Sequence, residues 1–326
     1  MKKKNWIALI LCAALALSLC ACQPKPVAPK PDSDLPIRIM TLNGTTGFGM
    51  AQLISRTAKG EAALNYQISV ETDASNITAA LISGTVDIAA LPTNAASVVY
   101  NKTQGAVQVL ALNTLGVLYL VSDGSEAVTS LADLEGKTVY APAQNPSFIF
   151  SALCKAAGVN VTVDNTYAQP ADLRTAVAAG EVALAVLPEP MVTIACSAND
   201  KLTVALDLTE EWETLYGADT LVQGCVVVRK AFAEGHGTEI AKFLEEYESS
   251  IALLSSDAAA AAQLIVDAGI FTAAPVAQKA IPKCNLCFIA GGDMQPALGK
   301  FLQTMFAVAP ASVGGAVPAD DFYYVA

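Results

Sequence analysis

Leu81-Ile-Ser-Gly84-Thr-Val-Asp87-Ile-Ala-Ala-Leu91-Pro92 returns 96 positions later as Val177-Ala-Ala-Gly180-Glu-Val-Ala183-Leu-Ala-Val-Leu187-Pro188. Each copy reads as a helix end stopped by glycine, then a buried strand, then a proline that ends it. The residues before each copy repeat as well. Ile39–Leu53 runs strand, Gly/Thr loop, Phe48, helix; Val139–Leu153 runs strand, Gln144-Asn145-Pro146-Ser147 loop, Phe148, helix. The two phenylalanines stand 100 positions apart. Gly-x-Val before apolar residues is common in α/β chains, so either match alone could be coincidence. Two matches in the same order, at nearly one offset, argue for two similar lobes.

Outward from the repeat, short β-branched runs alternate with helical patterns. Strands are expected at Ile37–Leu42, Gln67–Glu71, Val86–Leu91, Val107–Leu112, Thr138–Ala141, Val161–Thr166, Val182–Leu187 and Leu202–Leu206. That alternation predicts an α/β protein with mainly parallel sheets. The last third reads as mostly helical. Over Thr238–Ser256, Ile240, Phe243, Leu244, Tyr247, Ile251 and Leu254 fall on one face.

In open parallel sheets, ligands collect beyond the carboxyl ends of the strands. There the chain places small or uncharged polar residues: Asn43-Gly44-Thr45-Thr46-Gly47 and Thr93-Asn94 in one half, Gln144-Asn145-Pro146-Ser147 and Glu189-Pro190 in the other. Each loop opens a helix whose first N–H groups lack internal partners. Phe48 and Phe148 could supply an aromatic wall. Taken singly, such Thr, Asn and Ser residues read equally well as N-caps worth about 1 kcal/mol each. Four such loops converging on one cleft favour a binding site.

At the amino terminus, Lys2, Lys3 and Lys4 precede an apolar run from Trp6 to Leu19 that ends in Leu19-Cys20-Ala21-Cys22. A basic start, a short apolar core and a small residue before the cut make an export signal over residues 1–21. The ending resembles the lipobox of bacterial lipoproteins, with Cys22 as the lipidated residue; a plain signal anchor is the alternative. Residues 22–36 follow as the lipidated cysteine and a proline-rich tether, read as an extended spacer. Without residues 1–21, 16 Lys+Arg face 30 Asp+Glu, a net charge of −14. That balance argues against nucleic acid and against broad adhesion to anionic lipid. The length beyond the signal suggests two folding units. Five cysteines remain besides Cys22 (Cys154, Cys196, Cys225, Cys284 and Cys287), an odd number unlike a disulfide framework.

Material for catalysis is sparse. His236 is the single histidine and sits in a Glu-Gly-His-Gly-Thr turn before a helix, far in sequence from the loops above. Cys284-Asn-Leu-Cys287 lacks the second pair a structural zinc needs. It also reads as strand, which turns i and i+3 to opposite faces. No cofactor or metal motif is present.

The Asn43–Met50 loop, Gly84–Pro92 with the following Thr-Asn-Ala-Ala-Ser, and Leu131-Ala-Asp-Leu-Glu-Gly-Lys137 together resemble the solute-binding proteins of ABC importers. The branch is the nitrate/sulfonate/taurine/thiamine-precursor type. The resemblance implies a two-lobed periplasmic-binding-protein type II fold, with two Rossmann-like lobes joined by a two-segment hinge. It places crossings near Asn113–Val117 and Leu221–Cys225, lobe 1 at 37–113 plus 224–326, and lobe 2 at 114–223. It implies ligand contacts at Asn43, Thr45, Thr46, Phe48, Thr93, Asn94, Gln144, Asn145, Ser147, Phe148 and Glu189, and beside the crossings at Asn113 and Gln223. The expected partners are a small solute, an ABC permease and, through the lipid anchor, the bacterial cell membrane, with the protein a monomer outside the cytoplasm. Nitrate- or sulfonate-binding members would offer a cation, and none of these loops contains Lys, His or Arg. The expected solute is therefore neutral or weakly basic, with an anion such as nitrate or sulfonate as the alternative. Two rival functions remain at this stage: an enzyme of vitamin or quinone biosynthesis on the same fold, and a ligand-sensing lipoprotein for a membrane kinase.

Overall fold

The computed structural model describes residues 31–325. The export signal, Cys22 and the tether to residue 30 lie outside the described residues. The folded body starts earlier than the tether reading expects. The Asp32 amide donates to Glu239 Oε1 (2.7 Å), and Leu35 packs on the core.

In chain order, the first group of elements is β1 (Pro36–Leu42), α1 (Thr45–Phe48), α2 (Ala51–Ala58), β2 (Asn65–Glu71), α3 (Ala74–Ser83), β3 (Ile88–Pro92), α4 (Thr93–Lys102) and β4 (Val107–Thr114). The second comprises β5 (Leu118–Ser122), β6 (Thr138–Tyr140), α5 (Asn145–Ala157), β7 (Thr162–Asp164), α6 (Pro170–Ala179), β8 (Leu184–Pro188), α7 (Met191–Ala198), β9 (Thr203–Asp207) and α8 (Leu208–Tyr216). The third holds β10 (Gly224–Arg229), α9 (Lys230–Ala233), α10 (Gly237–Ser256), α11 (Ala258–Asp267), α12 (Ala274–Ala280), β11 (Leu286–Ala290) and α13 (Met294–Val308).

These form two sheets. The first has the order β11-β4-β10-β3-β1-β2 and the second β7-β6-β8-β5-β9. Setting β11 aside, β2-β1-β3-β10-β4 and β7-β6-β8-β5-β9 are one topology built twice, the spatial form of the repeated motif. Both sheets are mixed, however, because β5, β10 and β11 run against the other strands. β1 pairs in parallel with β2 and β3, while β10 runs antiparallel to both β3 and β4. Likewise β5 runs antiparallel to β8 and β9. β5 and β10 follow directly on the two connections between sheets, so each enters its sheet against the grain.

Helix ends follow local chemistry. α3 and α6 stop at Gly84 and Gly180, both left-handed (φ 76° and 77°), the conformation that frees the last carbonyls to be capped. α10 is amphipathic as expected, burying Ile240, Phe243, Tyr247 and Ile251 against the first sheet and Leu254 in the cluster around Phe48. Side chains of this size contribute roughly 1.5–3 kcal/mol each when buried.

Asp87, in the first copy of the repeat, ties that sheet together. Its carboxylate accepts Arg38 Nη2 (2.6 Å), Arg38 Nε (2.9 Å) and Arg229 Nη2 (2.8 Å). Its counterpart in the second copy is Ala183, so this lock exists in one sheet only.

α13 packs on α5, and Phe301 lies 5.8 Å from the Trp212 ring on α8. It also meets α4 and the 3₁₀ turn Pro310–Val313. One apolar core therefore runs from the first sheet through α13 into the second. This helix, inside the expected lobe 1 span 224–326, also packs on elements that flank the second sheet. The chain then returns to the first sheet, where Phe322 is buried and Tyr323 bridges to Val109. No helix among the described residues is long and apolar enough to cross a membrane.

Candidate functional site

The two sheets approach each other at the carboxyl ends of their parallel strands. β1 delivers α1, and β8 delivers the Glu189-Pro190 turn that opens α7. Thr45 Oγ1 donates to the Glu189 carbonyl across this gap (2.8 Å). Tyr119 Oη, on β5, donates to the Lys283 carbonyl (2.9 Å), and Lys283 Nζ stands 3.9 Å from Glu189 Oε1. Thr45, Glu189, Tyr119 and Lys283 thus form one junction between the halves.

Glu189 is only 2% exposed. Its carboxylate accepts the Thr193 amide (3.1 Å) and the Thr193 hydroxyl (2.9 Å), so it occupies the start of α7. Burial raises its pKa, against the opposing pull of Thr193 and Lys283. It is therefore not a solvated helix-start carboxylate. Burial likewise raises the Tyr119 phenol and the Cys284 thiol beside it. Cys284 Sγ is a buried donor to the Ala280 carbonyl (3.2 Å) and sits before β11, not in a strand with Cys287 as the sequence suggests.

The connections between sheets form a second tight layer. Gln223 Oε1 accepts the Val117 amide (2.7 Å), and the Gln223 amide donates to Thr114 O (3.0 Å). Thr93 Oγ1 donates to Val222 O (2.6 Å), and Asn113 Nδ2 donates to Thr46 O (3.2 Å) and to Tyr247 Oη (2.9 Å). Gly116 has no room for a side chain, since a Cβ there would lie 2.2 Å from Thr209 Oγ1. Thr93, Asn113 and Gln223 hold the connections in place with the bonds they make here.

The other expected residues divide. Asn43 is exposed and Thr46 half-buried. Phe48 is no open aromatic wall: it is wholly buried and meets Phe271 edge-on at 6.3 Å. Its neighbours Ala51, Ile270 and Ala277 make it core. Phe148 is half-buried against the large core. Ser147 accepts from Asn165 Nδ2 (3.2 Å) inside its own half. Gln144 is exposed with φ 66° and ψ −125°, a conformation that costs a non-glycine residue about 1–3 kcal/mol.

Asn94, 8% exposed, keeps its Oδ1 buried with no hydrogen-bond partner. Thr41 Oγ1, Asn145 Oδ1 and Thr209 Oγ1 are orphaned in the same way, as are Ser250 Oγ within α10 and Ser312 Oγ in the turn Pro310–Val313. The first four, unlike the two serines, stand where a parallel or entering strand ends or the next helix begins. Buried polar atoms are rarely left unbonded, at about 1–3 kcal/mol each. Sequence reasoning missed Lys283, Tyr119, Thr41 and Thr209. Among the described residues, no cluster of histidine, cysteine and carboxylate side chains could hold a metal ion.

A model of the NMT1/THI5-like family matches residues 59–261, more than half of the chain. The chain belongs to the NMT1/THI5-like family. No curated protein matches it. A protein of Parabacteroides distasonis, described as an ABC transporter, superposes with a TM-score of 0.76 at 21% identity, covering 90% of this chain and 99% of that one. The periplasmic aliphatic sulphonate binding protein SsuA of Escherichia coli gives 0.71 at 15% identity, with 88% and 90% covered. The alkanesulfonate-binding protein SsuA of Xanthomonas axonopodis pv. citri, bound to MOPS, gives 0.60 at 14% identity, with 90% and 96% covered. For this member of the NMT1/THI5-like family, they establish the two-lobed periplasmic-binding-protein fold.

Proposed function

We propose that this protein is the solute-binding subunit of an ABC importer, taking a small organic solute between its lobes and handing it to the permease. The observation that carries this reading is the set of orphaned polar atoms at Thr41, Asn94, Asn145 and Thr209, on strand ends and helix starts of both halves. A bound solute would satisfy groups that are otherwise costly to bury. The likeness to sulfonate-binding proteins of importers supports the same role.

In this reading Asn43, Thr45, Thr46, Thr93, Asn94, Gln144, Asn145, Ser147 and Glu189 surround the solute, with Asn113 and Gln223 setting the hinge. Phe48 and Phe148 shape the loops from behind. Lobe 1 comprises 37–113 plus 224–326 and lobe 2 comprises 114–223, with α13 spanning both. Opening and closing about the two connections gives the permease two distinguishable forms. Lipidated Cys22 holds the protein outside the cytoplasm as a monomer. Binding, not catalysis, is favoured by the placement of His236, which stacks on Phe232 at 4.3 Å and bonds Phe232 O through Nδ1 (2.8 Å) at the start of α10.

The test is native mass spectrometry of protein purified from its own cells, followed by a thermal-shift screen of vitamins, pyrimidines, sulfonates and oxyanions. A co-purified small molecule that raises the melting temperature of the stripped protein is expected. A bare polypeptide mass together with no shift from any of these compounds would refute the reading. The mass of the mature amino terminus tests the acyl group on Cys22.

A further inference from the structure

A helix start offers unsatisfied N–H groups and a positive dipole end, which suits an anion. At α7 that position is already taken. The Glu189 carboxylate accepts the Thr193 amide and hydroxyl at 3.1 and 2.9 Å, and its side chain is wholly buried. The repeat supplies an internal comparison. An offset of 96 sets Glu189 against Thr93, which opens α4 in the other half with a neutral hydroxyl donated to Val222 O. One half thus opens its helix with a fixed anion and the other without one.

Only one basic side chain stands within salt-bridge reach of Glu189 among the described residues: Lys283, from the opposite half, at 3.9 Å. Its side chain is 52% exposed, so its ammonium group is free to swing away while Glu189 stays fixed. A carboxylate has roughly four lone-pair sites. The two bonds from Thr193 leave room for a further donor at the place where Lys283 approaches.

We propose that Glu189 is the charge-selecting residue of the interlobe site: it repels anionic solutes and accepts an N–H donor from a neutral or cationic one, with Lys283 standing in for that donor when no solute is bound. The proposal rests on the solute-binding reading and adds the class of solute. Alkanesulfonates, the cargo of the two SsuA proteins above, are excluded from this chain by its own side chain. Two like charges about 5 Å apart at an effective dielectric of about 20 weaken binding on the order of a hundredfold.

The test uses sodium ethanesulfonate as the probe, titrated calorimetrically into the mature protein at pH 7.5 and low ionic strength. Wild type should show no saturable heat up to millimolar probe. Glu189→Gln should bind it at least about tenfold more tightly, because Lys283 is then unneutralised. Glu189→Thr copies the other half of the repeat and should gain as well, which covers the case of a Gln variant that fails to fold. The double variant Glu189→Gln/Lys283→Met should keep the part of the gain that comes from lost repulsion and lose the part that Lys283 adds. Wild-type affinity equal to that of the variants, or no gain in either folded variant, overturns the proposal. A gain that survives intact in the double variant overturns the role given to Lys283. The solute-binding reading fails separately, in the native mass spectrum and thermal-shift screen, because ethanesulfonate binding to the variants does not depend on the natural solute.

Discussion

Asp87→Asn removes one buried charge, from a carboxylate 3% exposed, and changes almost no volume. The side chain accepts three guanidinium N–H bonds and the Arg38 amide (3.0 Å), linking β1, β3 and β10. Hydrogen bonds to charged groups contribute about 1.5–3 kcal/mol each when well buried. Here the arginines are 41% and 22% exposed, so water screens part of the loss. A net cost of about 2–3 kcal/mol follows, or roughly 3–5 °C in melting temperature for a chain of this size. The effect has a signed pH dependence. Burial alone would raise the Asp87 pKa, but the bonds from Arg38 and Arg229 outweigh it and hold the carboxyl below the usual range. A depressed folded value contributes stability that is complete above the unfolded value near 3.9 and is lost as pH falls through the folded one. Calorimetric melting of wild type and variant at pH 7 and at stepped values below about 4 checks both statements. A gap under about 1 °C at pH 7, or one that persists undiminished in acid, refutes the reasoning.

Gly116→Ala pushes a methyl into Thr209 and Leu221 (2.2 and 2.7 Å) and should cost about 1–3 kcal/mol, read by urea unfolding. Gln144→Gly relieves a positive-φ backbone costing about 1–3 kcal/mol and adds unfolded-state freedom costing about 0.4–1 kcal/mol, so the melting temperature should rise; a fall would mean the position carries less strain than that added freedom. Thr45→Val deletes the bond to Glu189 O at constant shape and should shift unliganded protein toward the open form by about 1 kcal/mol, or about fivefold in population. Small-angle scattering would show this as a larger radius of gyration. Glu189→Gln should alter pH dependence in the sense opposite to Asp87→Asn. A carboxyl whose folded value is raised costs stability as pH rises through that value, so melting of the variant should be flatter above the usual carboxylate range.

All eight strands read from periodicity are present, with ends shifted by a few residues, because each lies in a local strand–helix alternation. The two missed strands, β5 and β10, pair antiparallel to neighbours far away in the chain, while β11, which the sequence places from Cys284, begins two residues later, at Leu286. Leu118–Ser122 and Gly224–Arg229 are apolar runs placed directly after the connections, where the sequence reads as hinge. Of the site, Thr45 and Glu189 were legible because each opens a helix at a strand end. Lys283 and Tyr119 were not, since one sits in a 3₁₀ turn far in sequence from the helix-opening loops and the other inside a missed strand. Phe48 misled because a helical aromatic near a polar loop looks available, and only packing shows which way it faces.

The second sheet is drawn from one unbroken stretch, Leu118 to Asp207, whereas the first must wait for β10 and β11 and is finished by a tail that reaches Val109. During synthesis, the middle of the chain can therefore condense first. The opening 80 residues of the body stay incomplete until nearly the last amino acid is free. Shortening the carboxyl end by even a handful of residues would strike the half that was made earliest.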